Sequence, residues 1–412
     1  MSFSIGLSGL RAVNQELSVI SNNVANASTA GFKSSRAEFA AIYGGGQAGG
    51  VEMNNVSQNF DRNGDVTRTG RGLDLAISGS GFFVLKDSNG QTSYTRAGMF
   101  QRDPNNYLTT ASGTRLQGYT TNDAGELQSG VVGDIQVKAG SLPAKPSDKL
   151  EFVANLKADA SQIDVTPPTA TPPGSYVFDP KKSETFSYSQ SSKVYDSLGT
   201  EHTLTQYFVK KNANEWDVHY TFNGTDVTPS GEVAMKFDPN GKLIPGPAPG
   251  STIPASLALA PAGASPITLQ LDMSRVSQYA SDFNATRNQS NGYAAGDLTG
   301  VRVDADGGVY ATFTNGQSLL QGQVVMANFT NPNGLLQTNN TTWQQSFSSG
   351  QPVLGAPGTG TMGSLTAGAY EGSNVDLTGE LVSLMTSQRN YQANAKTISS
   401  ADKMTQVLFN SF

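Results

Sequence analysis

The sequence predicts a mixed fold, with all-β inner and middle domains and N- and C-terminal α-helices forming a coiled-coil-like core domain. Near both chain ends, apolar residues recur at alternating intervals of three and four, as in an amphipathic helix. Between the ends, seven Asn-Gly dipeptides separate runs of strand-forming residues, which is typical of β-hairpins. The composition agrees, because 45 glycines accompany only 15% charged residues in a chain of 412.

The first predicted helix covers residues 3–27 and is weakly charged. Only Arg11 and Glu16 carry charge, and Ser, Asn and Gln occupy the face opposite the apolar residues. Gly31 is predicted to stop the helix, because glycine adopts the left-handed conformation that ends many helices. One apolar stripe contains Leu10, Val13, Leu17, Ile20 and Val24.

The second predicted helix covers about residues 375–409, and Ser373 and Asp376 resemble a capping box at its start. At 1.5 Å per residue it would be ~50 Å long. A helix this long with so little charge needs a partner for its apolar face. The stripe contains Leu377, Leu381, Leu384, Gln388, Tyr391, Ala395, Ile398 and Leu408.

The middle of the chain is predicted to be β structure divided by linkers. Hairpins are expected at 81–95, 203–225 and 301–314. Two proline-rich segments cannot lie inside a sheet and are expected to be loops. They are the cluster Pro167, Pro168, Pro172 and Pro173, and the stretch 245–266.

These observations predict a nested domain order in which one β domain is inserted into another. The glycine-rich segment after the first helix is expected to be a compliant connector. Sequence leaves open whether the inserted region is one domain or two. The predicted divisions are a terminal helical assembly domain (1–35 with 370–412), a connector (36–71), an inner β domain (72–146 with 286–369) and an inserted middle or outer β domain (147–285).

Composition and motifs argue against several classes of function. A net charge of −6 without a basic stripe is atypical of a nucleic-acid binder. The chain has no cysteine, so disulfides and Cys-based sites are excluded. Neither a secretory signal nor a run of about 18 apolar residues is present, so membrane insertion is not expected. No phosphate-binding loop occurs, and the two histidines, His202 and His219, lack metal-ligand spacing. No catalytic, cofactor-binding or metal-binding residue is therefore predicted.

Four segments together resemble the flagellar rod and hook axial proteins. Residues 21–36 (SNNVANASTAGFKSSR) resemble the N-terminal signature of that family, and 372–376 (GSNVD) begin its C-terminal signature. Residues 70–77 (GRGLDLAI) and 94–98 (YTRAG) resemble its inner β domain. The resemblance covers roughly the first 120 and the last 40 residues, in the family's order.

The resemblance implies a non-enzymatic subunit that polymerises through its chain ends. The terminal helices would be disordered in the free subunit and would fold as neighbouring subunits bury their stripes. Such a subunit would be exported unfolded, without a cleaved signal peptide. The implied assembly interface contains Leu10, Val13, Leu17, Ile20, Val24, Asn26, Gly31, Phe32, Lys33, Val375, Leu377, Leu381, Leu384, Gln388, Arg389, Tyr391, Ile398 and Leu408.

Length favours the hook branch of this family, because the distal rod protein is shorter and lacks an inserted domain. A hook subunit would build a flexible, curved, torque-transmitting tube at the bacterial flagellum, outside the cell. Its implied partners are copies of itself, the distal rod protein, the hook-capping protein, the hook–filament junction proteins and the flagellar export apparatus. Neither nucleic acid nor a membrane is an expected partner.

Two alternatives remain open at this stage. The chain could be a distal rod protein with an unusual insertion, which would assemble into a straight, stiff structure. It could also be a secreted β-rich carbohydrate-binding or hydrolytic protein, which would be folded and active as a monomer. A glycosidase needs two spatially paired carboxylates, and Asp217, Glu232 and Asp238 are available for that role.

Overall fold

The computed structural model divides the chain into two compact units. The first unit comprises Met1–Ala139, Thr299–Thr312 and Ser318–Phe412, and the second comprises Gly140–Leu298 and Phe313–Gln317. The predicted middle domain, 147–285, therefore lies wholly inside the second unit. The residues that the structure describes are 2–44, 47–122, 125–138, 140–163, 178–229, 233–246 and 251–410.

Two long helices form the ends of the chain, α1 (Ser2–Ala25) and α2 (Leu377–Asn410). Asp376 caps α2, because its Oδ1 accepts the amides of Thr378 and Gly379 at 3.1 and 3.2 Å. Ser373 is not part of this cap, so the predicted capping box is wrong; its hydroxyl accepts the amide of Val375 instead. Gly31 does not end α1 either, since a series of turns separates it from Ala25.

Ten strands of the first unit precede the second unit in the chain. The segment predicted as a connector, 36–71, instead contains a long antiparallel hairpin of β1 (Ser35–Gly44) and β2 (Gln47–Gln58). Along β2, the half-buried Val51 and Met53 alternate with exposed polar residues, as in a strand with one covered face. The strands are β1 (Ser35–Gly44), β2 (Gln47–Gln58), β3 (Val66–Arg68), β4 (Leu75–Ser78), β5 (Phe82–Lys86), β6 (Thr92–Thr95), β7 (Gln101–Arg102), β8 (Leu108–Thr109), β9 (Arg115–Thr121) and β10 (Leu127–Asp134).

The described residues of the second unit form a β-sandwich with one shared hydrophobic core. Two five-stranded sheets, β17-β18-β11-β19 with β20 and β12-β13-β14-β15 with β16, share this core. Across it, Phe152 stacks on Phe208 with ring centroids 5.6 Å apart. The strands are β11 (Lys149–Lys157), β12 (Tyr188–Tyr195), β13 (Glu201–Asn212), β14 (Glu215–Phe222), β15 (Thr225–Asp226), β16 (Ala234–Lys236), β17 (Ser256–Leu259), β18 (Ile267–Asp272), β19 (Ser277–Tyr279) and β20 (Asn284–Ser290).

The returning chain completes the large sheet of the first unit, which has thirteen strands along the path β21-β22-β23-β9-β5-β6-β26-β25. All three predicted hairpins are confirmed, as β5–β6, β13–β14 and β21–β22. The proline cluster at 167–173 lies outside the described residues. The remaining strands are β21 (Leu298–Val303), β22 (Gly308–Phe313), β23 (Ser318–Val324), β24 (Met326–Asn328), β25 (Leu336–Thr338), β26 (Thr342–Gln344), β27 (Val353–Gly355), β28 (Ser364–Ala367) and β29 (Ala369–Glu371).

Candidate assembly interface

The two terminal helices lie antiparallel and in close contact within the first unit. A Cβ atom at Gly9 would lie 2.8 Å from Oδ1 of Asn394, and one at Gly6 would lie 3.0 Å from Cγ1 of Ile398. At the other end of the pair, Nδ2 of Asn23 donates to Oε1 of Glu380 at 2.9 Å. Glycine on α1 therefore brings the two helix backbones together.

The predicted stripe of α1 faces the rest of the first unit. Val13 and Ile20 are buried, at 8% and 5% exposure, whereas Leu10, Leu17, Val24 and Asn26 are half-buried. Asn23 is also buried, although an apolar pattern could not identify it. Its Oδ1 accepts the amide of Ser35 at 2.9 Å, which fixes the end of α1 against the start of β1.

The predicted stripe of α2 is only partly covered within one subunit. Of the stripe, Leu384 and Ile398 are half-buried, as is Val375 just before α2. Among the described side chains of α2, the most buried is Ser387, which lies outside the stripe and is 2% exposed. Because α2 places small and polar side chains against the α1 glycines, many of its large apolar side chains remain in solvent. Gln388 and Arg389 are exposed, and the side chain of Leu408 lies outside the described set. The exposed apolar side chains are Leu377, Leu381, Val382, Met385, Tyr391, Met404 and Val407.

A largely apolar groove lies where α1, the β1–β2 hairpin and α2 meet. Its volume is about 690 Å³, and Ile5, Val13, Phe39 and Ile42 are among its lining residues. Tyr43, at one end of the hairpin, is 75% exposed. A groove lined by apolar side chains that remain in part exposed is a candidate protein–protein contact site.

A joint with a buried centre connects the helices to the β structure of the first unit. We define the joint as residues 31–34, 59–65, 96–97 and 371–374. Gly31 has a φ of +68°, and a Cβ there would lie 2.3 Å from the amide nitrogen of Ala97. Only glycine satisfies both the left-handed backbone and this close approach. The amide of Gly31 donates to the carbonyl of Glu371 at 2.8 Å, so the segments leaving α1 and entering α2 lie side by side.

An ion triad occupies the centre of the joint. Oε1 of Glu371 accepts Nζ of Lys33 at 2.7 Å, and Oε2 accepts a guanidinium nitrogen of Arg96 at 3.2 Å. All three side chains are at most 2% exposed. Burial lowers the pKa of both Lys33 and Arg96, and the charge of Glu371 opposes that shift.

Asn374 completes the polar network of the joint. Its Oδ1 accepts the amide of Ser34 at 2.7 Å, and its Nδ2 donates to the carbonyls of Asn59 and Arg62, both at 2.8 Å. The motifs at 21–36, 94–98 and 372–376 therefore meet in space. Glu371 was missed by sequence reasoning, although it directly precedes the last of these motifs.

Residues considered for other chemistry have structural partners. Nε2 of His202 lies 2.9 Å from Oδ2 of Asp196, and His219 stacks on Phe178. Asp217 pairs with Lys211 at 3.6 Å, and Oδ1 of Asp238 accepts the amides of a turn. Glu232 lies outside the described residues.

In the part of the chain that the structure describes, no group of three or more His, Asp or Glu side chains could hold a metal ion. Among the described helices, none is both long and apolar enough to span a bilayer.

Comparison with known protein families gives four matches along the chain. Residues 3–33 match the flagella basal body rod protein family, and 366–411 match the flagellar basal body rod FlgEFG protein C-terminal family. Residues 76–166 match the flagellar hook protein FlgE/F/G D1 domain, and 155–293 match the flagellar basal body protein FlaE D2 domain. The matches therefore extend into the inserted region, where no motif was found.

Comparison with individual proteins extends the similarity over the whole chain. The chain is 38% identical to the flagellar hook protein FlgE of Escherichia coli, and 100% of each chain is covered. It is 37% identical to the corresponding protein of Salmonella typhimurium over the same coverage, and 32% identical to that of Rhizobium meliloti over 98% of this chain and 97% of the relative. A crystal structure of a flagellar hook protein from Helicobacter pylori has the same fold, with a TM-score of 0.53 and 16% identity over 74% of this chain and 98% of that one.

Proposed function

This chain belongs to the flagellar hook protein family and is a structural subunit of the hook, and from this premise we propose that its terminal helices drive polymerisation into a curved, torque-transmitting tube. The observation that carries the proposal is the exposed apolar surface of α2. An isolated subunit leaves Leu381, Val382 and Met385 46–53% exposed. Copies of the same chain can cover these side chains.

The proposed contact between copies is head-to-tail, because α2 exposes apolar side chains while the groove beside α1 offers a different surface. Identical contacts between two different patches do not close on themselves, and they generate a helical polymer. The helices of neighbouring subunits would then pack around the tube axis. Contacts between the second units of neighbouring subunits would slide as the tube bends, as loosely packed polar interfaces allow.

We also propose that the subunit is exported through the flagellar type III channel without a cleaved signal, and that its helices order only on assembly. The chain has no cysteine, so no disulfide hinders threading of an unfolded chain. The partners proposed beyond other copies are the distal rod protein, the hook-capping protein, the hook–filament junction proteins and the export apparatus.

Electron microscopy of salt-induced polymers of the purified chain tests the proposal. Hollow tubes with a regular curvature are expected. Straight, stiff tubes would favour a rod protein with an inserted domain. A monomer that never polymerises and binds or cleaves a glycan would contradict the proposal and favour a secreted carbohydrate-active protein.

A further inference from the structure

The ion triad of the joint contains two cations for one anion. Lys33, Arg96 and Glu371 carry a formal charge of +1 together, and all three are buried. Replacing a buried ion pair by apolar groups of similar size is often neutral or stabilising, because desolvating the charges is costly. The second cation therefore needs an explanation other than stability.

Lys33 contacts the chain segments that lead to and from the terminal helices. Residue 33 follows α1 in the chain, and its Nζ bonds Glu371, which precedes α2. The same Nζ donates to the carbonyl of Arg62, beyond the end of β2, at 3.0 Å. One ammonium group thus binds both the segment that leads into α2 and the segment that follows the β1–β2 hairpin, and it is itself carried by the segment that follows α1.

The carboxylate and the carbonyl that accept from Lys33 each have a second hydrogen-bond partner. Removing the ammonium group therefore leaves neither of them without a partner. Oε1 of Glu371 also accepts the amide of Gly64 at 2.9 Å, and Oε2 accepts Arg96. The carbonyl of Arg62 also accepts Nδ2 of Asn374. A Lys33→Met subunit would retain a balanced Glu371–Arg96 pair. A Glu371→Gln subunit would instead retain two buried cations with no anion.

We propose that Lys33 is a positioning residue, which fixes the helices and the hairpin in one arrangement relative to the β structure of the first unit. Its role is to select that arrangement and not to stabilise the fold. The effect of Lys33 on tube shape rests on the proposed function, because tube shape can be measured only in the polymer. Its effect on the joint itself is measurable in the soluble subunit.

Hydrogen–deuterium exchange of the full-length soluble chain, combined with calorimetry, tests the proposal. Lys33→Met should melt within about 3 °C of the wild type. Its backbone amides at 31–34 and 371–374 should nevertheless exchange on the order of 10-fold faster, because the joint opens locally. Polymers of this variant should be absent or should have an altered curvature.

Two further variants make the result interpretable. Glu371→Gln should lower the melting temperature by about 10 °C, because it leaves two cations unpaired in a buried site. Arg115→Met is the control, because it breaks a more exposed ion pair, between Arg115 and Asp134, whose nitrogen and oxygen also lie 2.7 Å apart. This variant should change neither exchange at the joint nor tube shape. Wild-type exchange in Lys33→Met, or a fall in its melting temperature as large as that of Glu371→Gln, would overturn the proposal. Because exchange is measured on soluble subunits, this outcome is distinct from a failure of wild-type chains to form tubes.

Discussion

The exposed apolar patch near the start of α2 offers the most quantitative prediction. Leu381, Val382 and Met385 lie one helical turn or less apart and are 46%, 53% and 52% exposed. Fully burying such a side chain contributes about 1.5–3 kcal/mol, so covering the exposed half contributes ~1 kcal/mol per residue. Together the three residues would contribute about 3 kcal/mol to each subunit added to the polymer.

Replacing all three residues with glutamine removes this contribution without weakening α2, because glutamine has a helix propensity similar to that of leucine and methionine. Each ~1.4 kcal/mol changes an equilibrium constant by a factor of ten. Losing about 3 kcal/mol per added subunit should therefore raise the critical concentration for polymerisation on the order of 100-fold. The assay is sedimentation of polymer across a series of subunit concentrations. The control variant Leu381→Met, Val382→Ile, Met385→Leu keeps the apolar volume and should polymerise like the wild type. A triple-glutamine variant with a critical concentration within about 3-fold of the wild type would refute the reasoning.

Two further predictions concern the joint and the helix pair. Gly31→Ala should destabilise the first unit by at least twice as much as Gly70→Ala in thermal melts, because both positions have positive φ but only Gly31 has backbone atoms within 3 Å of the added carbon. Equal losses would show that the close approach to Ala97 is unimportant. Burial raises the pKa of Glu380, and Asp376 adds to the shift, while the hydrogen bond from Asn23 opposes it. Because the folded pKa lies above the unfolded one, the helix pair should lose stability as pH rises through this raised range. Circular dichroism melts of the polymer, in which both helices are ordered, should show this loss between acid and neutral pH for the wild type but not for Glu380→Gln.

Sequence periodicity predicted the helices and hairpins well, because each depends on local patterns. The positions of α1 and α2 follow from their apolar repeats, and the hairpin β5–β6 follows from the strand-forming runs on either side of Asn89-Gly90. The segment 36–71 was mispredicted as a connector, because its glycines conceal the short alternation of Val51 and Met53 with polar residues.

The contacts that hold the joint were beyond sequence reasoning. Glu371 meets Lys33 and Arg96 only through tertiary folding, across separations of 338 and 275 residues. The apolar stripe of α2 likewise could not reveal that Ser387, a polar residue outside the stripe, is buried. Small residues on α1 decide that packing, and they carry no hydrophobic signal of their own.

Limited proteolysis with mass spectrometry, on the soluble subunit and again on the polymer, tests the central claim most directly. In the soluble subunit, cleavage should fall within α1 and α2, whereas Phe32, Lys33 and Glu371 should survive because they are 0–3% exposed. In the polymer, both helices should become resistant, since neighbouring subunits bury them. Helices that resist protease in a subunit that never polymerises would contradict the account and would make them an ordinary core of a monomeric protein.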